Sequence, residues 1–137
     1  MTVSPGSADE ARLLVALQER LISAEARAAF AFLHLNFARL PGCVCEAEAH
    51  GVVCSLRVRD QGEWCYSFST ARDWVLAYVR PPEYRKGRIR LHDLQRALPA
   101  AEDRGDEHFR VRIRTLAESQ RFFTVVAAAR QDRGRGG

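Results

Sequence analysis

The chain has 137 residues, 47% of them hydrophobic, enough for one domain with a real core. No apolar run is long enough to cross a bilayer, and Met1–Glu10 lacks the basic and apolar regions of a secretory signal, so a cytoplasmic protein with no membrane partner is expected. The net charge of +4 is unevenly placed: residues 1–79 hold 7 basic and 9 acidic side chains, and residues 80–137 hold 14 and 8. The second half is therefore the part suited to an acidic partner. The basic residues are almost all Arg, which with abundant Ala is assigned to codon usage in a GC-rich, bacterial genome rather than to chemistry.

Residues 1–7 are expected to be disordered. Ser7-Ala8-Asp9-Glu10 is a capping-box pattern, so a helix should begin near Ala8, and nothing stops it before Pro41-Gly42. Leu14, Leu17, Leu21, Ala24, Ala28, Ala31, Leu35 and Ala38 follow at alternating spacings of three and four, a heptad seam. About thirty helical residues would reach about 45 Å, beyond the roughly 30 Å width of a small domain. Either the helix breaks near Ser23, or its first half overhangs and Leu14, Leu17, Leu21, Ala24 and Ala28 form a homodimer seam.

Cys43–Ala49, Val52–Arg59 and Glu63–Ser69 read as a three-stranded antiparallel meander. His50-Gly51 is a two-residue turn and Asp60-Gln61-Gly62 a three-residue one. With Ala49 opposite Val52 and Arg59 opposite Glu63, one face collects Cys43, Cys45, Ala47, Ala49, Val52, Cys54, Leu56, Val58, Trp64, Tyr66 and Phe68. The other collects Val44, Glu46, Glu48, Val53, Ser55, Arg57, Arg59, Glu63, Cys65 and Ser67. Helices should cover the apolar face. The thiols of Cys43, Cys45 and Cys54 then act as small hydrophobes. Their spacing lacks the paired Cys-x₂-Cys of zinc sites, and no metal or cofactor is expected.

Thr70-Ala71-Arg72-Asp73 should cap a middle helix running to Tyr78 or Arg80, with Trp74, Val75 and Tyr78 buried. Pro81–Gly87 reads as a rigid basic loop exposing Tyr84, Ile89 and Leu91 as a short strand, and His92–Leu98 as a short helix. Pro99–Glu107 is expected to be a mobile loop. His108–Arg114 alternates as a strand, Phe109, Val111 and Ile113 inward. Thr115-Leu116-Ala117-Glu118 is a second capping box opening a helix over 116–130, against which the run Phe122–Val126 favours a strand. Residues 131–137 are expected to be a disordered Arg/Gly tail. The fold class is thus α+β, one domain over residues 8–130.

The stripe His108, Arg110, Arg112, Arg114 would repeat at about 6.8 Å, close to the phosphate spacing of a nucleic-acid strand. Arg85, Lys86, Arg88 and Arg90 would extend it and Tyr84 would stack on a base. The functional expectation is a non-enzymatic, dimeric interaction module binding nucleic acid or an acidic protein. One alternative is a small enzyme using Glu46 and Glu48 on the polar sheet face, although no base stands beside Cys65 and no phosphate loop or nucleophile elbow is present. In element order (long helix, meander, middle helix, strand, helix) the chain resembles type III secretion chaperones. That resemblance implies a dimer holding segments of other proteins.

Overall fold

A computed structural model describes residues 8–50 and 53–136 of the chain. Among them five helices lie against one antiparallel sheet of six strands, in the spatial order β1-β2-β3-β4-β6-β5. The α+β class stands, with more strands than expected. Residues 1–7 lie outside the described residues.

The expected long helix is two: α1 (Ala8–Glu19) and α2 (Ala24–Arg39). Ser23 breaks it, taking extended backbone and accepting a hydrogen bond from the Ala26 amide on its Oγ at 3.3 Å, as an N-cap serine does. The Ile22 amide is tied to the Arg72 carbonyl at 2.7 Å, which fixes the bend. Leu17 and Leu21 are fully buried in the chain's own core. The overhang that asked for a second copy does not exist.

Strands β1 (Cys43–His50), β2 (Val53–Asp60) and β3 (Glu63–Ala71) form the expected meander. The pairing of the first two strands is shifted by two, His50 with Val53 and Ala47 with Leu56, and Gly51 of the expected turn and Val52 lie outside the described residues. A shift of two leaves the paired residues from Cys43 to Ala49 and from Cys54 to Arg59 on their expected faces. The second turn is a two-residue one, Gln61 and Gly62 both at positive φ (55° and 84°), which is type I′ geometry and needs glycine or a tolerant residue. A β-bulge follows: Arg59 pairs with Trp64 but Val58 with Tyr66. The extra residue, Cys65, turns into the core, and Trp64 moves to the opposite face. The expected positions of these two residues are therefore exchanged.

The middle helix is absent. Residues Trp74–Val79 form strand β4, paired to β3 through the two-residue turn Arg72-Asp73. The sequence Trp-Val-Leu-Ala-Tyr-Val buries Val75, Ala77 and Val79 and leaves Trp74, Leu76 and Tyr78 on the other side. That period of two outweighs the capping pattern before it. Pro81–Arg85 is a short helix, α3, with proline in its first turn rather than a loop. Residues 89–91 are not a strand, and α4 spans Leu91–Ala97. The segment expected to be a mobile loop contains β5 (Glu102–Asp103), which pairs with β6 (Phe109–Ile113). The last helix, α5 (Leu116–Gly136), starts at a working capping box: Thr115 Oγ1 accepts from the Glu118 amide at 3.1 Å and Glu118 accepts from the Arg114 amide at 2.8 Å. Its backbone stays helical to Gly136, through all but the last of the residues expected as a tail, and Gly137 lies outside the described residues.

The helices share one face of the sheet. Phe37 of α2 is the hub, its ring centre 5.4 Å from Tyr66 and Phe68 of β3, and 6.3 and 5.2 Å from Phe122 and Phe123 of α5. Tilted and edge-on contacts of this kind are what aromatic quadrupoles favour. The other face carries no helix among the described residues, an arrangement antiparallel sheets allow.

Candidate functional site

The uncovered face is assembled by the ladder. Arg112 lies opposite Leu76 and Arg110 opposite Tyr78 across β6 and β4, and Ser69 and Ser67 lie opposite the same two β4 residues across β3. Same-face residues two apart on β6 stand about 6.8 Å apart. The face holds two hollows, adjacent along β4. One of about 580 Å³ is lined by Trp74, Leu76, Arg110, Arg112 and Arg114, and one of about 290 Å³ by Ser67, Ser69, Tyr78, Arg80 and His108.

Arginines outnumber carboxylates here. Arg110 is held by Glu102 at 2.6 Å, which pushes its guanidinium pKa up. His108 and Arg104 share Asp106 at 3.3 and 3.5 Å, and both approach the Tyr78 ring. Arg112 and Arg114 have no carboxylate partner among the described residues. Their guanidinium carbons stand 4.6 and 5.6 Å from the ring centre of Trp74, a cation–π placement. Farther along the sheet, Arg57 and Arg80 lie 3.6 and 3.2 Å from the Trp64 ring centre. Burial first, then Arg57 and Arg59, bring the Arg80 guanidinium down to about 10, so it stays charged at neutral pH.

The other cations expected to join this stripe do not. Lys86 is bound to Glu63 at 2.6 Å, Arg88 to Glu83 at 2.9 Å and Glu63 at 3.3 Å, and Arg85 to Glu107. Arg90 is exposed beside α4. Tyr84, expected to be a free stacking ring, is half-buried: it donates its phenol to Asp103 at 2.8 Å and packs 4.8 Å from Phe109. Of the nine residues, His108, Arg110, Arg112 and Arg114 share the open face. Trp74, Leu76 and Tyr78, which complete it, were missed because they had been placed on a helix. Their alternation with Val75, Ala77 and Val79 was the available signal.

The expected dimer seam is not one surface. Leu17 and Leu21 are buried, Leu14 packs against the core, and Ala24 and Ala28 are exposed on α2. The carboxylates proposed for catalysis each face a cation, Glu48 with Arg57 and Glu46 with Arg59 at 3.6 Å. All four cysteines are free thiols. Among the described residues no group of three His, Cys, Asp or Glu is placed to hold a metal ion. The middle element that carried the chaperone resemblance is the strand β4, so the element order differs at that point. Comparison with protein-family models, curated proteins and solved structures finds no match for this chain.

Proposed function

We propose that the chain is a non-enzymatic binding module whose uncovered sheet face holds single-stranded nucleic acid. The observation that carries this reading is the pair Arg112 and Arg114, unneutralised and flanking the Trp74 ring in the larger hollow. Phosphates neutralise such cations with release of counterions, and an aromatic ring beside them gives a base something to stack on. Only an unpaired strand offers base faces to a sheet surface. The stripe from His108 to Arg114 covers about 20 Å, room for roughly three nucleotides at one phosphate per two strand residues. The serines and Tyr78 of the smaller hollow add hydroxyls for sugar or base edges.

The test is binding of a labelled oligothymidylate, its duplex form and polyglutamate across a salt series. Single-strand preference with quenching of tryptophan fluorescence supports the reading. Equal binding of polyglutamate without quenching would replace it with an acidic protein partner, and no binding at low salt would remove it.

A further inference from the structure

Arg90, which lies off the open face, lines a third hollow. A groove of about 740 Å³ runs between α4 and α5 on the helical side of the molecule. Its floor is apolar and small, formed by Ile89, Ala97, Val125 and Ala129, and its rim carries Arg90, Arg96 and Arg121. None of these three rim cations has a carboxylate partner among the described residues, whereas Arg88 at the groove's end is held by Glu63 and Glu83. We infer that this groove receives an acidic amphipathic helix from another protein.

Three features fix that occupant. Along α5 the lining runs from Gln120 to Asp132, about 18 Å or three turns at 1.5 Å per residue, the length of a short docked helix. Alanines on the floor let another helix approach closely, and an apolar stripe seated between cationic rims is the helix-in-groove mode of recognition. The unpaired arginines select carboxylates along both edges of that stripe. Asp93 and Asp132 also line the groove and place two points where the partner carries a neutral or basic residue. Among the described residues no aromatic side chain lines the groove, so it lacks the stacking surface of the sheet face.

The experiment uses the full chain and a fluorescein-labelled helical peptide with leucines at i and i+4 flanked by glutamates, measured by anisotropy. Two control peptides replace its leucines with serine or its glutamates with lysine. Saturable binding of the leucine/glutamate peptide alone is expected, and Arg96→Glu with Arg121→Glu should weaken it by about tenfold or more. Ala128→Trp, an exposed and neutral change that fills the groove, should weaken it as well, with the circular dichroism spectrum retained. Arg112→Ser with Arg114→Ser, on the opposite side of the sheet, should leave it unchanged. No saturable binding, equal binding of the serine peptide, or indifference to both groove variants would overturn the inference.

Discussion

Trp64 lies opposite Arg59 across the β2–β3 ladder, although Tyr66, two residues later, lies opposite Val58. The residue between them is therefore inserted without a partner, and the insertion rearranges both faces. Cys65 points inward and is fully buried, and its thiol donates to Glu83 Oε1 at 3.4 Å. Trp64 goes outward and gathers Arg57 and Arg80 on its ring. One bulge thus supplies a core thiol and an anchor for two cations of the open face.

The bulge makes Cys65 inert. Burial first, and the Glu83 carboxylate next, push its thiol up to about 12, and burial does the same to Cys45. Thiolate is the reactive form, so neither residue should be alkylated by iodoacetamide at pH 8 until the protein is denatured, as read by peptide mass spectrometry. Rapid labelling of Cys65 in the folded chain would contradict the bulge. The raised values also fix a pH dependence. The folded state keeps these protons where the unfolded thiol, with its ordinary value near 9, has lost them. Their contribution to stability is whole below about pH 9 and declines as the pH rises toward 12. Urea midpoints should begin to fall above pH 9, and less steeply in Cys65→Ala.

Glu83 should matter more than any surface ion pair. Its carboxylate is 1% exposed and accepts from Cys65, from the Tyr66 phenol at 3.2 Å and from Arg88 at 2.9 Å. Glu83→Gln removes the charge facing Arg88 while Glu63 still holds that arginine, so the cost is about 1–3 kcal/mol. Lys86→Ala removes a half-exposed pair with Glu63 and should cost at most about 1 kcal/mol. Equal urea midpoints for the two variants would show that Glu83 is not the anchor of α3.

These networks also mark the limit of what the sequence made legible. The meander and β6 were readable because local signals agreed, turn residues with a period of two; at α5 the capping box prevailed over the run Phe122–Val126, which favours a strand. The β2–β3 bulge was not readable, since nothing in Glu63-Trp64-Cys65-Tyr66 marks which residue is inserted. Only the packing of Cys65 and Tyr66 around Glu83 decides it. Strand β4 was lost to a capping pattern that is instead a hairpin turn, and with it went Trp74, the ring beside Arg112 and Arg114. Arg85 and Lys86 looked free because their carboxylates, Glu107 and Glu63, lie more than twenty residues away in sequence.

Leu17 separates the observed core from the seam read off the heptad spacing. It is fully buried within the single chain. Leu17→Ala should therefore lower the unfolding free energy by about 2–5 kcal/mol, by the same amount at micromolar and at tenfold higher protein concentration. A loss that shrinks as concentration rises would place Leu17 between copies.

If the open face holds a single strand as proposed, it makes two kinds of contact, and salt tells them apart. Arg112 and Arg114 would then act on phosphates, so replacing both with serine should weaken single-strand binding and reduce the slope of log K against log salt by about 1.4, at roughly 0.7 per phosphate. Trp74 would act on a base, so Trp74→Ala should cost about 1–3 kcal/mol of affinity and leave the salt slope where it was. Arg110 is already engaged by Glu102, and Arg110→Ser should therefore change the slope less than either neighbour. Trp64 also lines the smaller hollow but already carries Arg57 and Arg80 on its ring, so the fluorescence quenching expected on binding should be reduced in Trp74→Ala. Undiminished quenching there, with an unaltered slope in the double arginine variant, would rule out the proposed binding on this face.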